Sequence, residues 1–268
     1  MANVAIVGAG LMGTAMAWPL SDNGHHVRLV GTHLDGDIIA SCLDKRFHPR
    51  LRRRLPDNVQ PYYIDNITQA LDDVDTVVSG VSSPGVHWIG RTLAPLLKPG
   101  MKVIAVTKGL EATPEGDLRI LPDVLASELP AALRSKVTLA AIGGPCIAGE
   151  LAGRRHTCVY FTSRDAAALP GLRDLFRTPY YHIFISTDIM GVEACVALKN
   201  AYTLAVGLAG GMLEQLGGPD EADAVNHNPA AALFGASIKE MTRLVAILGG
   251  NPAMATSVPG AGDQYVRD

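Results

Sequence analysis

Three closely spaced glycines near the start of the chain have the spacing of a phosphate-binding loop. Gly8, Gly10 and Gly13 follow the apolar run from Val4 to Val7, and small helix-compatible residues come after them. In the pattern Gly-x-Gly-x-x-Gly, the first glycine makes a tight turn, the second lets backbone amides approach a pyrophosphate, and the third lets the helix pack closely on the strand. The spacing therefore predicts a dinucleotide site at a helix N-terminus.

A second chemical feature is a lysine inside a long apolar segment. Lys199 has Cys195, Val196, Tyr202 and Thr203 three and four residues away, and none of these helical neighbours is a carboxylate. Such a lysine either extends its ammonium group to solvent or is desolvated and paired with a distant acid. In the second case it suits a carbonyl reduction, because the ammonium can donate a proton to the oxygen as hydride arrives.

Charged residues and glycines also follow several apolar runs. Lys108 comes directly after one run, Gly144 and Glu150 lie at and beyond the end of the next, and the segment 81–85 reads VSSPG. Ligands of doubly wound sheets bind at the carboxyl ends of the strands. A lone lysine in such a loop is usually solvated, whereas the combination favours a ligand site.

The apolar runs predict the elements that position these residues. The first five are separated by a dozen or more residues, which is typical of a parallel sheet with helices on both faces. Two later runs are expected to join the same sheet. The predicted strands cover residues 4–7, 25–31, 75–82, 102–107, 136–144, 157–163 and 181–186.

From Ile189 onward the chain loses its β-branched runs and favours helix. Residues 191–217 predict one long helix, and residues 227–252 predict a second, with Asn228 as its N-cap and Pro229 at its first position. The expected fold is α/β, with a Rossmann-type doubly wound sheet over residues 1–188 and an all-helical domain over residues 189–268. The apolar stripe of the second helix is formed by Met241, Leu244, Val245 and Leu248.

Composition and charge favour a small-molecule partner. The 268 residues are 48% hydrophobic and carry a formal net charge of −3, so the chain can form one or two cores and lacks the positive field that attracts nucleic acid. No uninterrupted apolar stretch reaches the roughly 18 residues of a membrane span. The spacing of the cysteines and histidines predicts neither a disulfide nor a metal site. We therefore expect a soluble cytoplasmic protein without a metal.

Five segments of the chain form an ordered set of motifs. They are GAGLMGTAMA, VTKGLE, GGPCIAGELAGRRHT, GVEACVALKNAYTLAVG, and NPAAALFGASIKEMTRLVAILGG through PGAGD. In this order they resemble the NAD(P)-dependent glycerol-3-phosphate dehydrogenases, which reduce dihydroxyacetone phosphate to sn-glycerol 3-phosphate for glycerophospholipid synthesis. The resemblance implies that Lys199 is the catalytic lysine, Lys108 a second active-site lysine, Asn200 a substrate-site residue, and Asp263 a carboxylate that pairs with Lys199.

The resemblance and the glycine spacing together give the full set of expected contacts. Substrate is expected at Gly144 as well as at Lys108, Lys199, Asn200 and Asp263. We also expect a homodimer with a small phosphorylated substrate as its partner. The dinucleotide, NAD or NADP, is expected to contact Gly8, Gly10, Leu11, Met12, Gly13, Thr32, His33, Ser82, Pro84, Ala148 and Glu150.

The chain departs from the family pattern at its end. After the GxGD motif the family continues with a threonine and an Arg-Asn pair that binds substrate phosphate, whereas this chain reads QYVRD and stops. The second domain is thus expected to be incomplete at its C-terminus, either as a truncated chain or through an omitted segment. Arg267 is either a partial substitute or a solvated terminal residue. Cys146 and Ile147 replace a serine and an aromatic residue that are common in the family.

The choice between NAD and NADP depends on the end of the second predicted strand. An acidic residue there binds the ribose 2′-hydroxyl of NAD, and a basic one accepts the 2′-phosphate of NADP. Gly31, Thr32 and His33 offer neither, and Asp35 comes late. The arginine-rich run 50–54 either reaches a 2′-phosphate or forms a solvated loop, so NADP is favoured over NAD.

Two other functions fit the same sequence. A related dehydrogenase, acting on a 3-hydroxyacid or a sugar phosphate, also carries a lysine and an asparagine on a long helix. A non-catalytic NAD(P)-binding sensor is the other alternative, because the Arg-Asn segment is missing. Activity with a panel of substrates separates the first alternative, and cofactor binding without turnover indicates the second.

Overall fold

The protein is built around one large sheet whose strands are short runs of β-branched and small apolar residues. The structure is a computed structural model that describes residues 1–221 and 223–266. Its strands, numbered in chain order, are β1 (Asn3–Val7), β2 (His26–Val30), β3 (Phe47–His48), β4 (Arg53–Arg54), β5 (Val59–Tyr62), β6 (Thr76–Ser79), β7 (Lys102–Ala105), β8 (Leu110–Ala112), β9 (Leu118–Ile120), β10 (Thr138–Gly143), β11 (Thr157–Ser163) and β12 (Tyr181–Ser186).

The helices connect these strands and then form the C-terminal part of the chain. Two short irregular turns, a 3₁₀ turn at Pro252–Thr256 and a π turn at Val258–Gly262, precede the last helix. The α-helices are α1 (Leu11–Ala15), α2 (Ala17–Asp22), α3 (Gly36–Lys45), α4 (Ile67–Ala70), α5 (Val86–Leu93), α6 (Leu121–Glu128), α7 (Ala131–Arg134), α8 (Ala148–Ala152), α9 (Ala168–Phe176), α10 (Ile189–Gln215), α11 (His227–Ile247) and α12 (Asp263–Tyr265).

Among the described residues, eight strands form the large sheet in the order β12-β11-β10-β7-β6-β1-β2-β5. All neighbouring pairs from β10 to β5 run in parallel. The carboxyl ends of β1, β6, β7 and β10 therefore meet at one edge, as the sequence predicts for a Rossmann-type sheet. The predicted strands are present, although most end one to three residues earlier because the chain turns into loops at this edge.

The sheet is mixed rather than wholly parallel, which corrects the prediction for its last two strands. β11 is antiparallel to β10, and β12 is parallel to β11. The segment between β10 and β11 contains α8, which packs beside α1 and α2. The chain therefore stays at the carboxyl edge of the sheet and returns through β11 in the opposite direction.

One strand and two small hairpins are absent from the sequence prediction. β5 is an edge strand beside β2, and its Pro61 lies opposite Leu29. Proline is confined to sheet edges because it cannot donate to a second neighbour, and it also obscures the strand in the sequence. β3 pairs with β4 and β8 pairs with β9 as separate hairpins. These strands are too short to show a hydrophobic period.

Each face of the sheet has its own apolar core. Along β1, Val4 and Ile6 belong to one buried cluster, and Ala5 and Val7 belong to the other. This alternation follows from the two-residue period of a strand. The first cluster is covered by α1, α2, α3 and α9, and the second by α5 and α6. Helices on both faces confirm the doubly wound prediction.

The C-terminal part is helical, and α11 packs along α10. Met241 and Val245 are buried against Ala194 and Cys195, and Leu248 packs against the same cluster, which confirms three of the four residues of the predicted apolar stripe. The fourth, Leu244, is half-buried and lies outside this cluster.

The predicted cap of α11 is wrong. The helix begins at His227, and the preceding Asn226 donates from Nδ2 to the Ala209 carbonyl at 2.8 Å. Asn228 is therefore inside the helix rather than at its cap, and Pro229 is its third residue rather than its first. A proline is tolerated there, because the first four N–H groups of a helix have no helical acceptor.

By length and composition, α10 could also cross a bilayer. Core helices of soluble proteins share this property, and 44% of its most apolar window is buried inside the fold. Its buried residues lie mainly in the first two turns, from Ile189 to Val196. Within the described residues no other helix meets the same criteria, and one such helix is weak evidence of a membrane span.

Candidate active site

A buried carboxylate that binds two lysines forms the centre of the candidate site. Lys108 Nζ lies 2.5 Å from Asp263 Oδ2, and Lys199 Nζ lies 3.0 Å from Asp263 Oδ1. The Asp263 side chain is 1% exposed, whereas the lysines are 24% and 14% exposed. Lys108 also donates to the Gly144 carbonyl at 3.1 Å. The predicted pair of Lys199 and Asp263 is thus one half of an ion triad that includes Lys108.

Three separate parts of the chain supply this triad. Lys108 follows β7, where the Thr107 hydroxyl donates to the Val81 carbonyl at 2.6 Å and fixes the loop. Lys199 lies near the middle of α10, and Asp263 begins α12 directly after the π turn. Because these residues lie far apart in sequence, only the packing of α10 and the π turn against the sheet brings their charges together.

The triad opens into a cavity of about 590 Å³ at the carboxyl edge of the sheet. Five predicted contacts line it besides the triad: Leu11, Met12, Gly144, Ala148 and Asn200. Cys146, where the sequence departs from the family pattern, lines it as well. Burial raises the pKa of the Cys146 thiol to about 12, so this sulfur stays protonated near neutral pH. Arg50 also lines the cavity, although the sequence suggests it only as part of the arginine run.

The glycine loop has the backbone that its spacing predicts. Gly8 has a φ of +113°, and a Cβ there would lie 2.6 Å from the Gly80 carbonyl. A Cβ on Gly13 would lie 2.4 Å from the Gly8 carbonyl oxygen, so this residue permits close packing of α1 on β1. Gly13 thus packs beneath the loop and does not line the cavity beside the triad. Gly10 precedes α1, and among the described residues a Cβ there would meet only the Gly80 carbonyl oxygen, at 3.9 Å.

A second cavity, of about 520 Å³, lies over the glycine loop. Arg50 lines both cavities and marks where they meet. Trp88 also lines this cavity, and its ring packs edge to face against the His33 ring with 5.3 Å between the ring centroids. The sequence did not predict this contact, because Trp88 follows the VSSPG segment and belongs to no motif. The predicted contacts that line this cavity are Gly8, Gly10, Thr32, His33, Ser82 and Pro84.

Two acidic residues considered in the sequence analysis, Asp35 and Glu150, do not contribute free carboxylates to the cavities. The Asp35 carboxylate accepts from the Ala9 N–H at 3.1 Å and from the Thr32 N–H and hydroxyl at 2.8 Å each, so it braces the loop. Glu150 is exposed on α8, and the structure brings it into neither cavity. Arg53, from the arginine-rich run, donates to the Gly149 carbonyl at 3.3 Å.

Two family models together match almost the whole chain. The model described as NAD-dependent glycerol-3-phosphate dehydrogenase N-terminus matches residues 3–169, and the model of the C-terminus of the same enzyme matches residues 188–267. The chain belongs to this family.

Individual members of the glycerol-3-phosphate dehydrogenase family give the same result. A relative from Archaeoglobus fulgidus, named NADP(+)-dependent glycerol-3-phosphate dehydrogenase, is 33% identical over 97% of this chain and 74% of its own length. A Geobacillus kaustophilus relative, named glycerol-3-phosphate dehydrogenase, NAD(P)+, is 34% identical over 99% of this chain and 72% of its own length. The crystal structure of glycerol-3-phosphate dehydrogenase from Coxiella burnetii has a TM-score of 0.83 and 28% identity, and covers 97% of this chain and 74% of that chain.

The remaining expectations from the sequence concern Cys146 and Ile147, Arg267, and a metal site. Ile147 lines the larger cavity beside Cys146, so both departures from the family pattern lie at the site rather than remote from it. Arg267, considered as a substitute for the family arginine, lies outside the described residues. No group of three or more histidine, cysteine or acidic residues in the described part of the chain has a geometry that could hold a metal.

Glu193 is a buried acid near the triad that the sequence did not single out. It is fully buried on α10, and neither of its carboxyl oxygens has a hydrogen-bond partner among the described residues. Burial raises its pKa to about 8; Asp123 contributes in the same direction, and Lys108 opposes the shift. Glu193 is therefore mostly protonated at neutral pH, because a carboxylate in this position would be charged without a partner.

Because the pKa of Glu193 is raised in the folded state, the free energy of unfolding should fall as pH rises from about 4.5 to about 8. In this range the unfolded state releases the proton that the folded state keeps, which costs on the order of 1 kcal/mol per pH unit. Glu193→Gln removes this dependence, so its free energy of unfolding should rise relative to the unaltered chain as pH increases. Urea unfolding at several pH values measures the difference.

Glu214→Gln, an exposed change on the same helix, is the matched control. Its pH profile should follow that of the unaltered chain. Parallel profiles for Glu193→Gln and the unaltered chain would show that Glu193 is ionised in the fold.

Proposed function

We propose that this chain is an NAD(P)-dependent oxidoreductase that reduces dihydroxyacetone phosphate to sn-glycerol 3-phosphate, a precursor of glycerophospholipids. The observation that carries this function is the Asp263 carboxylate, which binds two ammonium groups beside the glycine loop. The printed names of the Archaeoglobus and Geobacillus relatives support the reaction.

The charge of the larger cavity suits a phosphorylated ketone. Among its described lining residues, Arg50, Lys108 and Lys199 are cationic and Asp263 is anionic. This excess of positive charge complements a phosphate dianion in a partly desolvated site, where charge interactions are stronger than in water. A neutral ketone would leave it without a counter-charge.

Lys199 is the proposed acid of the reaction. NAD(P)H, when bound, supplies the hydride. As negative charge develops on the ketone oxygen, the Lys199 ammonium stabilises the charge and donates the proton. Asp263 then favours return of a proton to Lys199, while Lys108 holds the anionic substrate. The Asn200 amide, on the same wall of the cavity, orients a substrate hydroxyl.

The dinucleotide occupies the cavity over the glycine loop in this proposal. Among the described residues, only the Gly80 carbonyl oxygen would lie near a Cβ on Gly10, at 3.9 Å, which leaves room for a pyrophosphate. Arg50 lines both cavities, which suits an extended molecule that occupies the two. Ser82 and Pro84 line the cavity over the glycine loop, whereas Leu11, Met12 and Ala148 line the larger cavity together with the lysines. Residues 1–188 form the dinucleotide domain and residues 189–268 the substrate domain.

Lys199→Met should abolish most turnover while leaving cofactor binding intact. Loss of a positioned acid typically costs about 100-fold to 10,000-fold in rate. The fold should survive, because Asp263 keeps its ion pair with Lys108. The measurement is NADH and NADPH consumption with dihydroxyacetone phosphate, together with cofactor titration and circular dichroism.

Lys239→Met, an exposed change on α11, is the control for this substitution. Near-normal kcat in a folded Lys199→Met protein would remove Lys199 from the chemistry. A panel of 3-hydroxyacids and sugar phosphates tests the related dehydrogenases, and cofactor binding without turnover of any substrate by the unaltered chain would indicate a sensor.

NADPH should be preferred to NADH. The Asp35 carboxylate already accepts hydrogen bonds from Ala9 and Thr32, and Arg50 lines the same cavity with its positive charge. Arg50→Gln should therefore raise the KM for NADPH more than the KM for NADH. Steady-state kinetics with both cofactors measures this, with Arg54→Gln as an exposed control in the same run. Equal effects on both cofactors would contradict recognition of a 2′-phosphate.

A cytoplasmic homodimer is the proposed state of the protein. Leu204, Leu208 and Met212 in α10 and Leu216 at its C-cap recur every four residues, and all are more than half exposed. In a monomer this stripe would leave a continuous apolar surface exposed to water, which is unfavourable. Such a stripe on one helix face is therefore typical of an interface between subunits. A second copy of the chain would cover it.

Leu208→Lys should dissociate this dimer, since a charge in an apolar interface is left without a partner. Light scattering after size exclusion measures the mass. Leu118→Lys, at an exposed position in the β8–β9 hairpin, should leave the mass unchanged. A monomeric unaltered chain would refute the homodimer.

A further inference from the structure

A fully buried histidine contacts the glycine loop from behind. His48 in β3 has its Nε2 2.9 Å from the Ala9 carbonyl oxygen, and its Nδ1 lies 3.0 Å from the Leu51 N–H. Because the Leu51 N–H can only donate, Nδ1 must accept, and the ring proton must lie on Nε2. Burial lowers the pKa of His48, which favours this neutral form.

The bond from His48 determines the direction of a loop amide. The Ala9 carbonyl and the Gly10 N–H belong to one planar trans peptide, so they point in opposite directions. Donation from His48 to the carbonyl therefore turns the Gly10 N–H away from the histidine. On its other side, the Ala9 N–H donates to Asp35 at 3.1 Å. Both polar groups of Ala9 are thus fixed by buried side chains.

The same histidine connects the loop to the hairpin that carries Arg50. His48 pairs with Arg53 across β3 and β4, and Arg50 lies in the turn between these strands. The position of Arg50 over the two cavities therefore depends on a side chain that also fixes the glycine loop. A shift of the hairpin would change the loop amide and the arginine together.

We propose that His48 is a positioning residue for the dinucleotide. Its Nε2–H fixes the Ala9–Gly10 peptide plane so that the Gly10 N–H is presented to the pyrophosphate, and it keeps the Arg50 hairpin in register with the loop. The inference rests on the proposed function, which places the dinucleotide over the glycine loop. His48 does not touch the reacting atoms, so its effect falls on cofactor affinity rather than on kcat.

Substitution of His48 by Gln or by Asn tests its two hydrogen bonds, to the Ala9 carbonyl and from the Leu51 N–H, one at a time. The Gln side chain extends its amide N–H to about the level of Nε2, so His48→Gln keeps the donor to Ala9. The shorter Asn side chain extends only to the level of Nδ1, so His48→Asn keeps the acceptor for Leu51 and loses the donor to Ala9. We expect His48→Asn to raise the Kd for NADPH about 5-fold to 10-fold, as for a lost hydrogen bond, and His48→Gln to stay within about 3-fold of the unaltered chain.

The readouts are the Kd from NADPH fluorescence, the KM for NADPH, kcat at saturating cofactor, and the melting temperature. A purely structural role would lower both melting temperatures and would not separate the two affinities. Equal Kd values for His48→Asn and His48→Gln would therefore overturn the inference.

Gly10→Val distinguishes failure of this inference from failure of the proposed function. If Gly10→Val leaves NADPH affinity unchanged in a folded protein, the dinucleotide does not lie over the loop and the proposed function fails. If Gly10→Val weakens affinity while His48→Asn does not, only the role of His48 fails.

Imidazole ¹⁵N NMR of the unaltered chain gives a test that needs no variant to fold. The expected spectrum shows His48 protonated on Nε2 alone at neutral pH, and its signal should shift when NADPH is added. A ring protonated on Nδ1, or an imidazolium, would contradict the bond to Ala9 and overturn the inference.

Discussion

The Asp263 carboxylate is the interaction on which the arrangement of the site depends. A carboxylate with almost no solvent exposure is stable only when its charge is compensated, and here two ammonium groups compensate it. One of these follows a strand of the sheet and the other lies on α10. The ion triad therefore joins the sheet to the helical part of the chain, and the same contacts that satisfy the buried charge place Lys199 at the cavity.

The side of the site that is proposed to bind the dinucleotide is built on a different principle. There the backbone carries the chemistry, and buried side chains control the backbone: Asp35 accepts from the Ala9 N–H and His48 donates to its carbonyl. Both anchors are removed from solvent, so their bonds compete little with water. The two halves of the site meet at Arg50, which is attached to the glycine loop through the His48 hairpin.

The sequence predicted those features that depend on local pattern. The glycine spacing gave the turn at Gly8 and the close packing at Gly13, and the apolar runs gave the main strands. The reversed direction of β11 was not predictable in this way, because it follows from where α8 packs rather than from any residue pattern. β5 was hidden by Pro61, and the hairpins are too short to have a period. Of the ion triad, the pair of Lys199 with Asp263 came from the family resemblance, whereas the second bond to Lys108 required the packed structure.

Charge balance explains why one acid accompanies several bases in the larger cavity. Arg50, Lys108 and Lys199 bring three positive charges among the described lining residues, and Asp263 brings one negative charge. Without substrate, the cavity is left with an excess of two positive charges, which solvent can screen because Arg50 is exposed. The anionic groups of the proposed ligands, the substrate phosphate beside the lysines and the cofactor 2′-phosphate beside Arg50, would offset this excess. A second buried carboxylate would pair the lysines fully and weaken attraction for the anion, whereas the loss of Asp263 would leave two ammonium groups repelling each other. A single carboxylate between two lysines therefore satisfies both the stability of the empty site and the binding of an anionic substrate.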